Sequence, residues 1–89
     1  MVKVIGGKGT SKEDAIVIEA ANETEGVETE YMIAEEIFGK ENIDWHLFQQ
    51  ILDNDTENKK VYDTLIIEDN KEIQYELWFD VTAFYGKYE

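Results

Sequence analysis

The sequence predicts one two-layer α+β domain, in which a helical pair covers one face of a small, mostly antiparallel sheet. Three observations support this fold class. The chain has 89 residues, which is room for a single core. Its C-terminal third alternates apolar and polar residues, as strands do. Its centre repeats apolar residues at helical spacing. The predicted order over residues 1–89 is β-β-α-α-β-β, an arrangement in which the helices pack together on the sheet.

The N-terminal part predicts two short strands separated by a glycine-rich break. Residues 2–5 are short and β-branched, which is typical of an edge strand. Residues 6–9 contain three glycines and interrupt it. Residues 10–14 have space for at most one helical turn. The β-branched run at 15–18 then predicts a buried strand.

The first predicted helix begins near Val27. Val27, Tyr31, Ala34 and Phe38 recur at helical spacing and form an apolar stripe. Gly39 follows the stripe, at the position just past a helix end where glycine is favoured. The polar residues 22–26 predict a turn before this helix.

The second predicted helix covers residues 42–52. Asn42 is placed to cap its N-terminus. Its apolar face would consist of Leu47, Phe48, Ile51 and Leu52. The polar residues 53–58 then predict a loop.

Two further strands end the chain. Residues 61–67 place Val61, Asp63, Leu65 and Ile67 on one side of a strand. Asp69 and Asn70 predict a two-residue hairpin turn. Residues 73–82 alternate most regularly, with an apolar inner face and an outer face that carries Trp78. Residues 83–89 are aromatic-rich and are expected to fold back over the sheet.

The composition excludes several classes of function. The chain has no cysteine, so it has no disulfide framework, thiolate metal site or cysteine nucleophile. It also has no arginine, and 21 acidic residues against 8 lysines give a net charge of −13. Such a charge repels nucleic acids and anionic membranes, and no apolar run is long enough to span a bilayer. We therefore expect a cytoplasmic protein that binds neither nucleic acid nor membrane.

Few residues offer catalytic chemistry. His46 is the single histidine, and Asp44 would lie on a different face of the predicted helix and could not orient it. Ser11 is the single serine and is expected to cap a turn. Lys8 is followed by Gly9 rather than by a hydroxyl residue, so the glycine cluster is not a phosphate loop. The sequence therefore predicts a protein that is not an enzyme and that has no cofactor, no metal and no catalytic residue.

The positive signal is the density of acidic residues, since eight glutamates lie between positions 19 and 41. An acidic face steers association with a basic surface, so a basic protein partner is the leading hypothesis. An immunity-type or inhibitor protein that blocks a nucleic-acid-binding enzyme would fit this size and charge. We expect Glu28, Glu35 and Glu36 to steer the partner and Trp78 to anchor it. A surface that only promotes solubility explains the same charge.

Two alternatives remain at this stage. The first is a small-ligand or divalent-cation binding domain, which would use the carboxylates of Asp53, Asp55 and Glu57 or a pocket between the sheet and the helices. This acidic segment lacks the glycine and the glutamate that complete a calcium loop. The second alternative is a small enzyme with an acidic cleft. The oligomeric state is left open.

Both ends of the chain carry short patterns. Residues 7–11 read Gly-Lys-Gly-Thr-Ser, and residues 79–86 read Phe-Asp-Val-Thr-Ala-Phe-Tyr-Gly. The chain resembles a group of small uncharacterised bacterial domains that begin Gly-x-Gly-(Ser/Thr)-Ser and end Phe-Asp-(Ile/Val)-(Ser/Thr)-x-Phe-(Phe/Tyr)-Gly. The resemblance implies a stand-alone bacterial domain, and it implies no activity and no catalytic residue.

Overall fold

A computed structural model describes residues 2–87 of the chain. Within this range the elements are β1 (Lys3–Ile5), β2 (Ile16–Glu19), α1 (Glu23–Phe38), β3 (Trp45–Asp55), β4 (Lys60–Asp69) and β5 (Gln74–Asp80). The strands form a single five-stranded sheet in the order β1-β2-β5-β4-β3. No helix in the described range has the length and apolar character needed to cross a membrane.

The predicted fold class is wrong in its helical layer, and the mostly antiparallel sheet has five strands where four were predicted. The structure is a mixed α+β domain whose described residues contain one helix, so no helical pair covers the sheet. β2 and β5 are parallel neighbours, whereas the other adjacent strands are antiparallel. The parallel pair joins the N-terminal hairpin to the C-terminal three-stranded meander.

The second predicted helix is instead the strand β3, which pairs with β4 as a long hairpin. A β-bulge explains the error. Leu47 lies opposite Ile67 and Gln49 lies opposite Ile66, so Phe48 is an extra residue in the ladder. This extra residue shifts the alternation of faces by one position, and the resulting apolar spacing resembles that of a helix. The predicted loop at 53–58 is also shorter, because β3 continues to Asp55.

The first helix is confirmed, and its ends have specific caps. The side chain of Asn22 accepts a hydrogen bond of 3.0 Å from the Glu25 N–H, so the helix begins before the apolar stripe. Gly39 follows the last residue with a φ of 101°, which favours glycine, and its N–H bonds to the Glu35 carbonyl. Asn42, the predicted cap of a second helix, lies in a turn with a φ of 65°.

The buried side of α1 differs from the predicted stripe. Gly26, Glu30 and Ala34 are buried, whereas Val27 is 37% exposed. The helix thus turns a glutamate toward the sheet.

The face of the sheet on which α1 packs is called the helix face. Its core cluster consists of Ile16, Ile18, Ala34, Trp45, Leu65, Ile67, Leu77, Phe79, Val81 and Phe84. The predicted strands at 2–5, 15–18, 61–67 and 73–82 are confirmed as β1, β2, β4 and β5 within a few residues. The turn between β4 and β5 is longer than predicted, since the Asp69 carboxylate accepts bonds from the Lys71 and Ile73 N–H groups. Of the segment expected to fold back, Tyr88 and Glu89 lie outside the described residues.

Candidate binding site

A pocket opens between the first turns of α1, the strands β3 and β4, and the C-terminal segment. Its volume is about 300 Å³. We call it the acid pocket, and it is lined by Glu23, Val27, Glu30, Gln50, Leu52, Asp63, Val81, Phe84 and Tyr85. None of these lining residues is a lysine or a histidine.

Two buried acids distinguish this pocket from an apolar cleft. Glu30 on α1 is 1% exposed and Asp63 on β4 is 4% exposed. Burial, reinforced by a hydrogen bond with Asp63, raises the pKa of the Glu30 carboxyl to about 10. Glu30 is therefore protonated at neutral pH and donates to Asp63. Its Oε1 atom has no hydrogen-bond partner within the described part of the chain.

Asp63 is held in place from the edge strand. The side-chain amide of Gln50 donates to both oxygens of Asp63, at 3.0 and 2.9 Å. Asp63 and Glu30 thus lie together at the inner end of the acid pocket, whose lining contains no cationic side chain.

The walls of the acid pocket are apolar, and its rim is accessible. Val81 and Phe84 are both 2% exposed and form the inner wall. Val27 is 37% exposed, Leu52 is 51% exposed and Tyr85 is 44% exposed. The pocket therefore opens to solvent between side chains from three separate segments.

The C-terminal segment closes the pocket because it is tied to β4. Thr82 donates to Asp80 Oδ1 at 2.6 Å and accepts from the Val61 N–H at 2.9 Å. The Val81 N–H also donates to the Val61 carbonyl at 2.9 Å. These bonds bend the chain away from β5 and direct it back toward α1.

Two contacts with α1 complete the closure. The Glu23 carboxylate accepts from the Gly86 N–H at 2.6 Å. The ring of Phe84 lies against Gly26, where an added Cβ would overlap it. Glycine at this helical position therefore creates the space that Phe84 fills.

The predicted steering residues are all exposed. Glu28, Glu35 and Glu36 lie on the solvent side of α1 around Met32, which is 62% exposed. The Glu35 carboxylate also accepts from the Glu41 N–H at 3.2 Å. These residues form an acidic helix surface, but no exposed aromatic ring stands at its centre.

Trp78 lies on the opposite face of the sheet from α1. It alternates with Leu77 and Phe79, which are in the core. Its indole N–H donates to Glu76 at 2.9 Å, and its ring meets Tyr62 edge-on at 6.3 Å between centroids. The structure therefore does not bring the predicted anchor together with the predicted steering residues.

The carboxylates proposed for a divalent cation are engaged elsewhere. Lys12 lies 3.3 Å from Asp53 and 3.1 Å from Asp55. Hydrogen bonds from Asn58, followed by a hydrogen bond from Lys12, lower the pKa of the Asp55 carboxyl to about 2. Glu57 is exposed in the adjoining turn. Among residues 2–87, no group of three or more acidic or histidine side chains could hold a metal ion.

The other residues considered for chemistry have structural contacts. His46 lies on β3, not on a helix, and its Nε2 is 2.9 Å from a Glu68 oxygen. The Ser11 carbonyl accepts from the Asp14 N–H and closes a turn.

Sequence reasoning missed Glu30 and Asp63, although each leaves a local signal. Asp63 is the one acid among the alternate residues Val61, Asp63, Leu65 and Ile67 on the apolar side of β4. Glu30 falls within the apolar stripe of α1, one turn before Ala34. An acid inside each of two apolar patterns indicates a buried polar contact. Their partnership depends on the packing of α1 against β4, which neither pattern reveals.

No protein-family model, no curated protein and no solved structure matches the chain. The resemblance to small bacterial domains therefore stays a prediction.

Proposed function

We propose that the protein is a non-enzymatic acidic binding module that docks on a basic protein and receives a lysine or arginine side chain of that partner in the acid pocket. The observation that carries the proposal is the acidic pair of Glu30 and Asp63, buried beneath an open apolar rim. The acidic helix surface would steer the partner from a distance, while the pocket would supply the specific contact.

The chemistry of the pocket matches a cation on an apolar stem. The unpartnered Oε1 of Glu30 offers a hydrogen-bond acceptor, and Asp63 supplies the negative charge. Val27, Leu52 and Tyr85 provide apolar surface for methylene groups. Lysine has this composition, because its charged end follows a four-carbon stem.

The energetics favour a binding role over a purely structural one. A buried pair of acids costs stability, because one carboxyl must stay protonated or two charges must be desolvated. An apolar pair would fill the same space without this cost. A bound cation would offset this cost, because it would compensate negative charge in the pocket.

Titration with n-butylammonium, which mimics the lysine side chain, tests the proposal. Two-dimensional NMR should show shifts at Glu30, Gln50 and Asp63, with a dissociation constant on the order of 1 mM for so small a probe. 1-Butanol has the same stem without the charge and should bind about tenfold more weakly or not at all.

Paired variants locate the binding. Asp63→Asn should weaken n-butylammonium binding by about tenfold or more, because it removes the charge. Asp53→Asn makes the same change on the opposite face of the sheet and should leave binding unaltered. Glu30→Met, which removes the free acceptor, should also weaken binding. Equal binding of the two probes, or equal affinity in Asp63→Asn and Asp53→Asn, would overturn the proposal.

A further inference from the structure

The strand β3 forms one edge of the sheet, and most of its length is exposed. Apart from a single bridge between Trp45 and Glu41, it pairs among the described residues with β4 alone, so alternate N–H and C=O groups along the rest of its other side are open to a further strand. Exposed edges are usually protected by charged side chains, proline, β-bulges or brevity. β3 has 11 residues and contains neither lysine nor proline, and beyond its bulge at Phe48 residues 49–55 pair regularly with β4.

The middle of β3 is uncharged as well as exposed. Phe48 is 53% exposed, Ile51 is 43% exposed and Leu52 is 51% exposed, and the residues between them are glutamines. The other edge of the same sheet differs. β1 has three residues and carries Lys3. The sheet therefore has one protected edge and one edge that is open to pairing.

This open edge is continuous with the acid pocket. Gln50 and Leu52 belong to β3, and their side chains line the pocket. In register, they lie opposite Leu65 and Asp63 of β4. A strand added beside β3 would therefore run along the mouth of the pocket, with alternate side chains on the helix face.

We propose that the partner docks as an extended segment that adds to the β3 edge and places a lysine or arginine side chain in the acid pocket. This inference rests on the proposed function and names the conformation and register of the bound segment. Strand addition of this kind obtains affinity from main-chain bonds and specificity from pockets for alternate side chains.

The distances permit this arrangement. An added strand would lie two interstrand spacings from β4, or about 9 to 10 Å. A four-carbon lysine stem, the Asp63 side chain and one hydrogen bond span this distance together. A residue placed opposite Gln50 or Leu52 would have its side chain beside the rim.

Charge argues for a basic segment of another protein over a second copy of this chain. β3 carries two aspartates and no lysine, so two β3 edges would bring like charges together. Each chain also has a net charge of −13, which opposes self-association. A basic segment would be attracted by the negative charge of β3 and of the whole chain. Its main chain would also pair with the N–H and C=O groups along the β3 edge.

The test uses the 89-residue protein and three forms of one peptide. The probe is acetyl-TVTKTVT-amide. One control replaces the lysine with norleucine, and the other carries N-methyl groups on alternate amides and keeps the lysine. The probe should slow hydrogen exchange about tenfold at alternate amides of residues 49–55, while the amides of β1 serve as an internal control and stay unchanged.

The outcomes separate the two proposals. If the N-methylated peptide binds as tightly as the probe, strand addition is wrong, although charge recognition in the pocket survives. If the norleucine peptide binds as tightly as the probe, the pocket does not distinguish a charged side chain from an apolar one, and the proposed function fails. If β3 amides are already protected in a dimer without peptide, a second copy covers the edge and this inference is overturned.

Discussion

Replacing Glu30 with glutamine should stabilise the protein at neutral pH. Glu30→Gln keeps the size of the side chain, a donor toward Asp63 and an acceptor in the place of Oε1. It removes the need to take up a proton on folding. The variant is therefore expected to be more stable than the wild type, although it alters a buried and hydrogen-bonded residue.

The magnitude follows from the two pKa values. The Glu30 carboxyl titrates at 4.5 in the unfolded chain, and burial raises its pKa to about 10 in the fold. Between these values the folded state binds the extra proton, so this contribution to stability is complete below pH 4.5 and is lost as the pH rises toward 10. At pH 7 the difference from 4.5 is 2.5 pH units. At about 1.4 kcal/mol per unit, protonation costs about 3 kcal/mol.

Urea unfolding between pH 5 and pH 8 measures this effect, with the fluorescence of buried Trp45 as the signal. The stability difference between Glu30→Gln and the wild type should be at most about 1 kcal/mol at pH 5 and should grow by about 1.4 kcal/mol per pH unit above it. Glu28→Gln is the matched control, because it makes the same chemical change at an exposed position on the same helix. The free energy of unfolding of Glu28→Gln should differ from that of the wild type by no more than about 0.5 kcal/mol across the pH range. Parallel pH profiles for Glu30→Gln and the wild type would refute the reasoning.

Three further changes probe the structure around the pocket. Gly26→Ala should lower stability by about 1–3 kcal/mol in urea unfolding, despite better helix propensity, because the new Cβ overlaps Phe84. A variant as stable as the wild type would show that this contact is not tight. Thr82→Val should cost about 1 kcal/mol in the same assay and should weaken n-butylammonium binding, because it frees the segment that closes the pocket. Unchanged probe affinity would show that the wall does not depend on Thr82. Asp55→Asn should flatten the acid side of the stability profile, because the wild-type contribution of Asp55 is present above pH 3.8 and is lost as the pH falls toward about 2. An unaltered acid transition would contradict this.

The parts of the fold that sequence could predict are those with local causes. The end of α1 follows from an apolar stripe and from Gly39, which lie within one segment. The faces of β4 and β5 follow from strict alternation. β3 was misread because one inserted residue, Phe48, shifts its alternation and produces helix-like spacing. A bulge has no reliable local signal, because it is defined by the opposing strand.

The candidate site depends on contacts between distant segments, so its prediction from sequence was weak. Exposure of Glu28, Glu35 and Glu36 follows from their place on the helix, and the outer position of Trp78 follows from the alternation along β5. The sequence did anticipate a pocket between sheet and helix as one alternative. The acids inside it were hidden, because burial and pKa are properties of the packed fold.

The central claim is that Glu30 and Asp63, at the inner end of the acid pocket, bind a positively charged group of the partner. The most direct measurement is a set of intermolecular NOEs between n-butylammonium and the methyl groups of Val27 and Leu52, recorded beside a 1-butanol control. The account predicts cross-peaks from the amine to both methyl groups, and their loss in Asp63→Asn. Cross-peaks of equal strength from the alcohol, or contacts of the amine at Trp78 instead, would contradict it.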